Sequence, residues 1–240
     1  MSGHSKWATT KRQKAVVDAK KGIIFTKLAK LITIAARKGS DPAANFMLRI
    51  AIDKAKAINM PKDNIERAVN RGAGKSDGAQ IEELIYEGIG PAKAQFIVKC
   101  LSDNKNRAAA EIRHLFSKYG GAFGSVSWNF IQRGVIMIAR DEISEKKLNH
   151  ENFELELIDA GAEDIKMEYD GMTIFTSPAN LQKVKQLLEN KNIKTESAEV
   201  EYAAKETADI SDEEKIQIEK FIEELENSED VSDYYTNANI

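Results

Sequence analysis

Few residues in this chain could do chemistry, and they are scattered. The histidines are His4, His114 and His150, and the one cysteine is Cys100. A zinc site needs nitrogen and sulfur ligands at short recurring spacings, and these four residues lie far apart in the chain. A single cysteine forms no intrachain disulfide; within "AQFIVKC" it reads as a small buried strand residue. The stretch "GAGKS" at Gly72–Ser76 invites a nucleotide-binding reading. A phosphate-binding loop of that kind needs a glycine where Val69 stands, and a strand before it, whereas a helical pattern precedes. The acidic runs "DEE" and "EELE" lie along a solvated helix face. No carboxylate pair shows the two unlike environments that acid–base catalysis requires. The expectation is a non-enzyme with no catalytic residue, no cofactor, no metal and no small-molecule substrate.

What remains is charge, and it is unevenly placed. Residues 1–75 carry 17 Lys and Arg against 5 Asp and Glu, while residues 76–240 carry 18 against 33. The overall charge of −3 conceals this split. A strongly basic segment is the electrostatic footprint of a module that meets a polyanion. Its opening, "MSGHSKWATTKRQKAVVDAKKG", holds His4, Lys6, Trp7, Lys11, Arg12, Lys14, Lys20 and Lys21, with Asp18 as its only acid. It shows little apolar periodicity, so a partly ordered arm is expected. Trp7 reads either as an anchor packed on the following helices or as a stacking platform for an unpaired base.

The elements that position these cations follow from periodicity. A helix is expected from about Lys20 to Lys38, with Ile24, Leu28, Leu31, Ile32 and Ala35 as its apolar stripe. Lys20, Lys27, Lys30, Arg37 and Lys38 fall on a neighbouring arc of roughly 100°. A second helix is expected with Asp41 as N-cap and Pro42 at its first position. A third starts with Pro61 at its first position and ends at Gly72. It carries Arg67 and Arg71 toward its C-terminus. Recognition helices touch bases mainly through N-terminal residues, so phosphate contact without base reading is expected. These three helices form a small bundle.

Beyond the Gly-rich "GAGKSDGAQ" the pattern turns to strands. "IEELIYEGI" and "AQFIVKCLS" read as a hairpin around Gly90–Pro91. "NRAAAEIRHLFSKYGG" reads as a helix bearing Arg107, Arg113 and His114, the last a polar surface residue or a nucleic-acid contact. "FGSVSWNF" reads as a strand. From Gly134 the order βαββαβ is the ferredoxin-like unit. The acidic helix around Ile218–Leu225 and the strand "VSDYYTNA" complete the earlier sheet. The expected fold class is therefore α+β, with three domains. These are a basic arm and three-helix bundle at 1–75, a discontinuous α+β domain at 79–133 plus 201–240, and a ferredoxin-like domain inserted at 134–200. No apolar run approaches the ~20 residues of a membrane span, and the N-terminus lacks the apolar core of a secretory signal. A cytoplasmic protein without membrane contact is expected.

The blocks "GHSKWATTKRQKAVVDAKKGIIFTKLAKLITIAARKG", "DPAANFMLRIAIDKAKAINMPKDNIERAVNRGAG", "EGIGP", "DNKNRAAAEIRHLFSKYGG", "DAGAEDI" and "YTNANI" together resemble the YebC family over nearly the whole chain. That family includes bacterial proteins described as transcriptional regulators and the mitochondrial translational activator of cytochrome c oxidase. The resemblance implies three domains with a ferredoxin-like insertion, and regulation of gene expression. Two stretches depart from the family pattern. "EGIGPAK" stands where the family tends toward "EGYGPGG", and "AFGSVSWNF" is shorter than the usual loop and carries Trp128. The expected partner is nucleic acid: DNA for a transcriptional regulator, or ribosomal RNA if the basic arm serves translation. The acidic half is left as a surface for a protein partner.

Overall fold

The computed structural model describes residues 17–75, 80–148 and 151–240, with side chains from residue 21 onward. The arm residues His4, Lys6, Trp7, Lys11, Arg12 and Lys14, and the side chain of Lys20, lie outside the described residues.

The architecture is mixed helix and sheet: a helical region followed by two antiparallel-rich sheets. Helix α1 spans Val17–Ala36, α2 Phe46–Ala57 and α3 Lys62–Gly72. Ile32, Leu48, Ala51, Ile52, Ala55, Ile65 and Ala68 form their shared core. Each large aliphatic side chain buried there contributes about 1.5–3 kcal/mol. Gly72 permits the close crossing of α3 on α1. A Cβ at that position would lie 2.2 Å from the Thr33 carbonyl oxygen and 2.6 Å from Ala36 Cβ.

Two helix starts differ from expectation. Asp41 and Pro42 precede α2 rather than opening it. Asp41 Oδ1 accepts from Ala43 N at 2.9 Å, which holds a turn in place of a helix. The cap is Asn45, whose side chain accepts from Leu48 N at 3.1 Å. Asn45 Nδ2 also donates to Ala35 O and Gly39 O, at 2.8 and 2.7 Å, tying the end of α1 to the start of α2. Pro61 is the extended residue before α3 rather than its first helical residue.

The first sheet has the order β3-β1-β2-β8, where β1 is Glu82–Ile89, β2 Gln95–Ser102, β3 Ala122–Phe123 and β8 Val231–Thr236. β1 and β2 pair antiparallel across the Gly90–Pro91 turn. In that turn Ala92 and Lys93 both adopt positive φ, 54° and 60°, the region that glycine enters most easily. Helices α4 (Lys105–Lys118) and α8 (Asp212–Asn227) cover one face of the sheet. Their core centres on Phe96, Phe116 and Phe221, with Phe96–Phe221 centroids 4.9 Å apart in an edge-on arrangement. Strand β8 joins β2 from the far end of the chain, so the sequence between them is an excursion from one sheet. The stretch "FGSVSWNF" is not one strand. β3 stops at Phe123, Glu87 accepts from Val126 N and Ser127 N at 2.8 Å each, and Trp128 sits in a short 3-10 turn.

The chain divides into two compact units, one of residues up to Asn129 with Ala204–Ile240, the other Phe130–Ala203. The second has the sheet order β5-β6-β4-β7, with β4 Phe130–Ala139, β5 Ala162–Met167, β6 Gly171–Thr176 and β7 Ser197–Ala204. With helices α6 (Glu151–Ala160) and α7 (Leu181–Asn190) this is the ferredoxin-like arrangement. Phe153, Leu157, Val184 and Leu188 supply the helices' buried faces. A short helix, α5 (Arg140–Lys146), is absent from the sequence reading. It buries only Ile143, too little for a periodic signal.

Candidate nucleic-acid interface

The basic residues of α1 divide sharply. Lys27 and Lys30 lie one turn apart and point toward α8 and β8. Lys27 Nζ donates to Glu226 O at 2.7 Å. Lys30 Nζ donates to Glu229 O at 2.9 Å and pairs with Asp230 Oδ1 at 2.6 Å. Asp230 is buried, its side chain only 5% exposed, and it also accepts from Ser102 Oγ and from Arg107 Nη2, at 2.9 and 3.1 Å. Arg107 completes the cluster through Asp103 at 3.0 Å. Burial raises the Asp230 carboxyl, but hydrogen bonds from Lys30, Ser102 and Arg107 outweigh it and leave it below its ordinary value. Burial also pulls the Lys27 ammonium down to about 8, only partly offset by Glu226 and Asp233. The neighbouring Cys100 thiol is pushed up to about 12, first by burial and then by Asp230.

These contacts revise the sequence-derived set. Lys27, Lys30 and Arg107 belong to a seam joining the helical region to the first sheet, with their charges spent on Asp230 and on carbonyls. The helical wheel of α1 places Lys27 and Lys30 on a cationic flank; it has no means of showing that "ENSEDV" folds back against that flank.

Most of the remaining described cations face outward, Arg71 excepted. Lys21, Arg37 and Lys38 are exposed. Arg67 is exposed on α3, where its guanidinium meets Asn64 Oδ1 and, at 3.3 Å, Asp63 O. Arg71 is half-buried. Arg113 is exposed on α4 and stacks over Phe123 at 5.1 Å, and His114 is exposed beside it. The bonds of Asn45 set Arg37 and Lys38 beside the N-terminus of α2. The sequence reading passes over further cations of α2 and α3. Lys56 and Lys62 are exposed, Arg49 and Lys54 half-buried. Lys62 forms an i,i+4 pair with Glu66 at 3.3 Å, an exposed contact of small energetic weight. The missed signal was the i,i+7 spacing of Arg49 with Lys56, which puts both on one flank of α2.

Such a surface offers charge and long flexible donors, suited to phosphate rather than to a defined small ligand. Among the described residues no group of three or more His, Cys, Asp or Glu could hold a metal ion. Among them, too, no helix is long and apolar enough to cross a membrane.

Comparison with known proteins places the chain. Residues 5–75 match the family described as "TACO1/YebC protein N-terminal domain", and residues 81–238 match "TACO1/YebC second and third domain". The chain belongs to the TACO1/YebC family. A TACO1/YebC relative from Thermoanaerobacter pseudethanolicus, named a probable transcriptional regulatory protein, is 46% identical over all of this chain and 98% of its own length. A probable transcriptional regulatory protein of Thermotoga maritima is 45% identical over 99% of this chain and 93% of that one. Among solved structures, the crystal structure of a conserved hypothetical protein from Aquifex aeolicus is similar with a TM-score of 0.82. It is 38% identical and covers 93% of this chain and 92% of that one. Many full-length relatives of the TACO1/YebC chain thus carry the name of regulators of transcription.

Proposed function

We propose that this chain is a non-enzymatic, DNA-binding regulator of transcription whose helical region grips the phosphate backbone. The observation that carries the reading is the outward set Arg37, Lys38, Lys56, Lys62 and Arg67, displayed on a region with 17 basic and 5 acidic residues in its first 75. The names of the relatives support regulation of transcription, and with it a role without catalysis in the cytoplasm. In this reading residues 1–75 are the nucleic-acid module. Residues 79–133 with 201–240, and the insertion 134–200, are two further domains.

The test is binding of the full chain to a DNA duplex of about 20 base pairs over a range of salt. Neutralising about five phosphates gives a log–log slope near −4 to −5. A flat response contradicts the electrostatic premise. Tighter binding to a structured RNA than to the duplex at every salt concentration contradicts DNA as the target.

A further inference from the structure

Helix α2 carries two apolar faces. Leu48, Ala51, Ile52 and Ala55 fill the bundle core. Phe46, Ile50 and Ala57 lie on the opposite side at i, i+4 and i+11, with Met47 next to them. Ala57 is exposed, Met47 is 44% exposed, and Phe46 and Ile50 are half-buried. A helix that has already buried one face gains nothing in its own fold from a second. The surroundings of the second face are cationic. Arg49 stands with its guanidinium carbon 5.6 Å from the Phe46 ring centroid, Lys56 flanks one side and Lys54 the other. One acid, Asp53, shares the face. Arg37 and Lys38 stand at its N-terminal end through the bonds of Asn45, and Lys62 follows its C-terminal end.

We infer that the outer face of α2 contacts unstacked bases of a bound nucleic acid, Met47 and Ile50 meeting base faces while the bracketing cations hold the phosphates. The inference rests on the proposed nucleic-acid binding and adds what backbone contact alone lacks, a preference for distorted duplex. The charge decides the occupant. Apolar side chains of the Phe, Ile and Met kind contact base steps that have lost stacking. A protein partner would have to be strongly acidic to sit inside this ring of cations and would then gain little from Met47 and Ile50.

The experiment compares the full-length protein with its M47A variant and with the double variant M47A/I50A. The probes are a fully paired DNA duplex of about 20 base pairs and the same duplex with a short central bulge. Wild type should bind the bulged duplex about tenfold more tightly, since the bulge has already met the cost of opening a step. The double variant should lose that preference and keep both its affinity for the paired duplex and its salt slope, because apolar contacts release no counterions. M47A alone, at an exposed site where folding is secure, should lose part of it. Equal affinity of wild type for the two duplexes, or a preference surviving in the double variant, overturns the inference and leaves phosphate binding intact. Absence of binding to both duplexes strikes the proposed function instead. A dimer that both variants dissociate, seen by sedimentation without nucleic acid, assigns the face to a second copy and overturns the inference.

Discussion

Lys30 and Arg37 lie two helical turns apart, yet their surroundings are opposite. Lys30 is held by a buried carboxylate and a carbonyl in the seam between α1 and the first sheet. Arg37 is exposed next to the start of α2. The seam uses positive charge to join two parts of one chain; the outer surface leaves it displayed. The difference teaches that a cation's role is set by what folds back against it. Seam substitutions should therefore cost stability and spare nucleic-acid affinity, and outer-surface substitutions should do the reverse.

The largest effect is expected where α1 meets α3. Gly72→Ala puts a methyl group against the Thr33 carbonyl and Ala36, and overpacking of this kind costs about 1–3 kcal/mol. The expected value is at the upper end, because backbone rather than a movable side chain is in the way. Urea denaturation measures it. A variant as stable as wild type would show that the crossing can open without cost. Asp230→Asn comes next. It removes the charge that Lys30 and Arg107 share. Breaking a fully buried pair costs about 3–5 kcal/mol, but Arg107 is half exposed, so roughly 2 kcal/mol is expected. DNA affinity measured well below the melting temperature should stay within about twofold of wild type. A large loss of affinity with unchanged stability would turn the comparison around.

A smaller effect should appear with pH. The folded Lys27 has its pKa lowered to about 8 from 10.5. The unfolded chain therefore binds this proton more tightly, and stability rises as pH climbs from about 8 toward 10.5. Cys100 acts in the opposite sense. Its folded thiol is raised from 9.0 to about 12, so its contribution is lost as pH rises above 9. The Lys27 signal is clearest between pH 7 and 9, where wild type should gain roughly 1 kcal/mol. Lys27→Met should abolish the gain. Equal pH dependence in the two proteins would show that the seam does not strain this amine.

The elements were largely legible in the sequence because their signals are local. The stripe Leu48–Ala51–Ile52–Ala55 and the turn at Gly90–Pro91 each fix an element without distant help. The element order βαββαβ of the ferredoxin-like unit could be read along the chain, and the structure adds its strand order. What sequence could not show depends on side-chain competition or distant contacts. Asp41 and Asn45 are both good caps, and Asn45 prevails because it also reaches Ala35 O and Gly39 O. The turn at 125–129 replaces a strand because Glu87, far earlier in the chain, captures two of its amides. Ala92 and Lys93 adopt left-handed backbone without glycine, which no propensity scale suggests. The candidate interface was half legible. Arg37, Lys38 and Arg67 face outward, while Lys27, Lys30 and Arg107 are taken up by Asp230 and α8, more than a hundred residues away in sequence.

The most direct test of the account is the salt dependence of DNA binding by the triple variant Arg37→Ala/Lys38→Ala/Lys56→Ala. The full-length variant and wild type would be titrated with the same duplex between about 50 and 200 mM salt. Each lost phosphate contact should flatten the slope by about 1, so the slope should fall from near −4 or −5 to near −1 or −2, with melting temperature unchanged. A slope identical to wild type would contradict the claim that the outer surface of the helical region carries the nucleic acid.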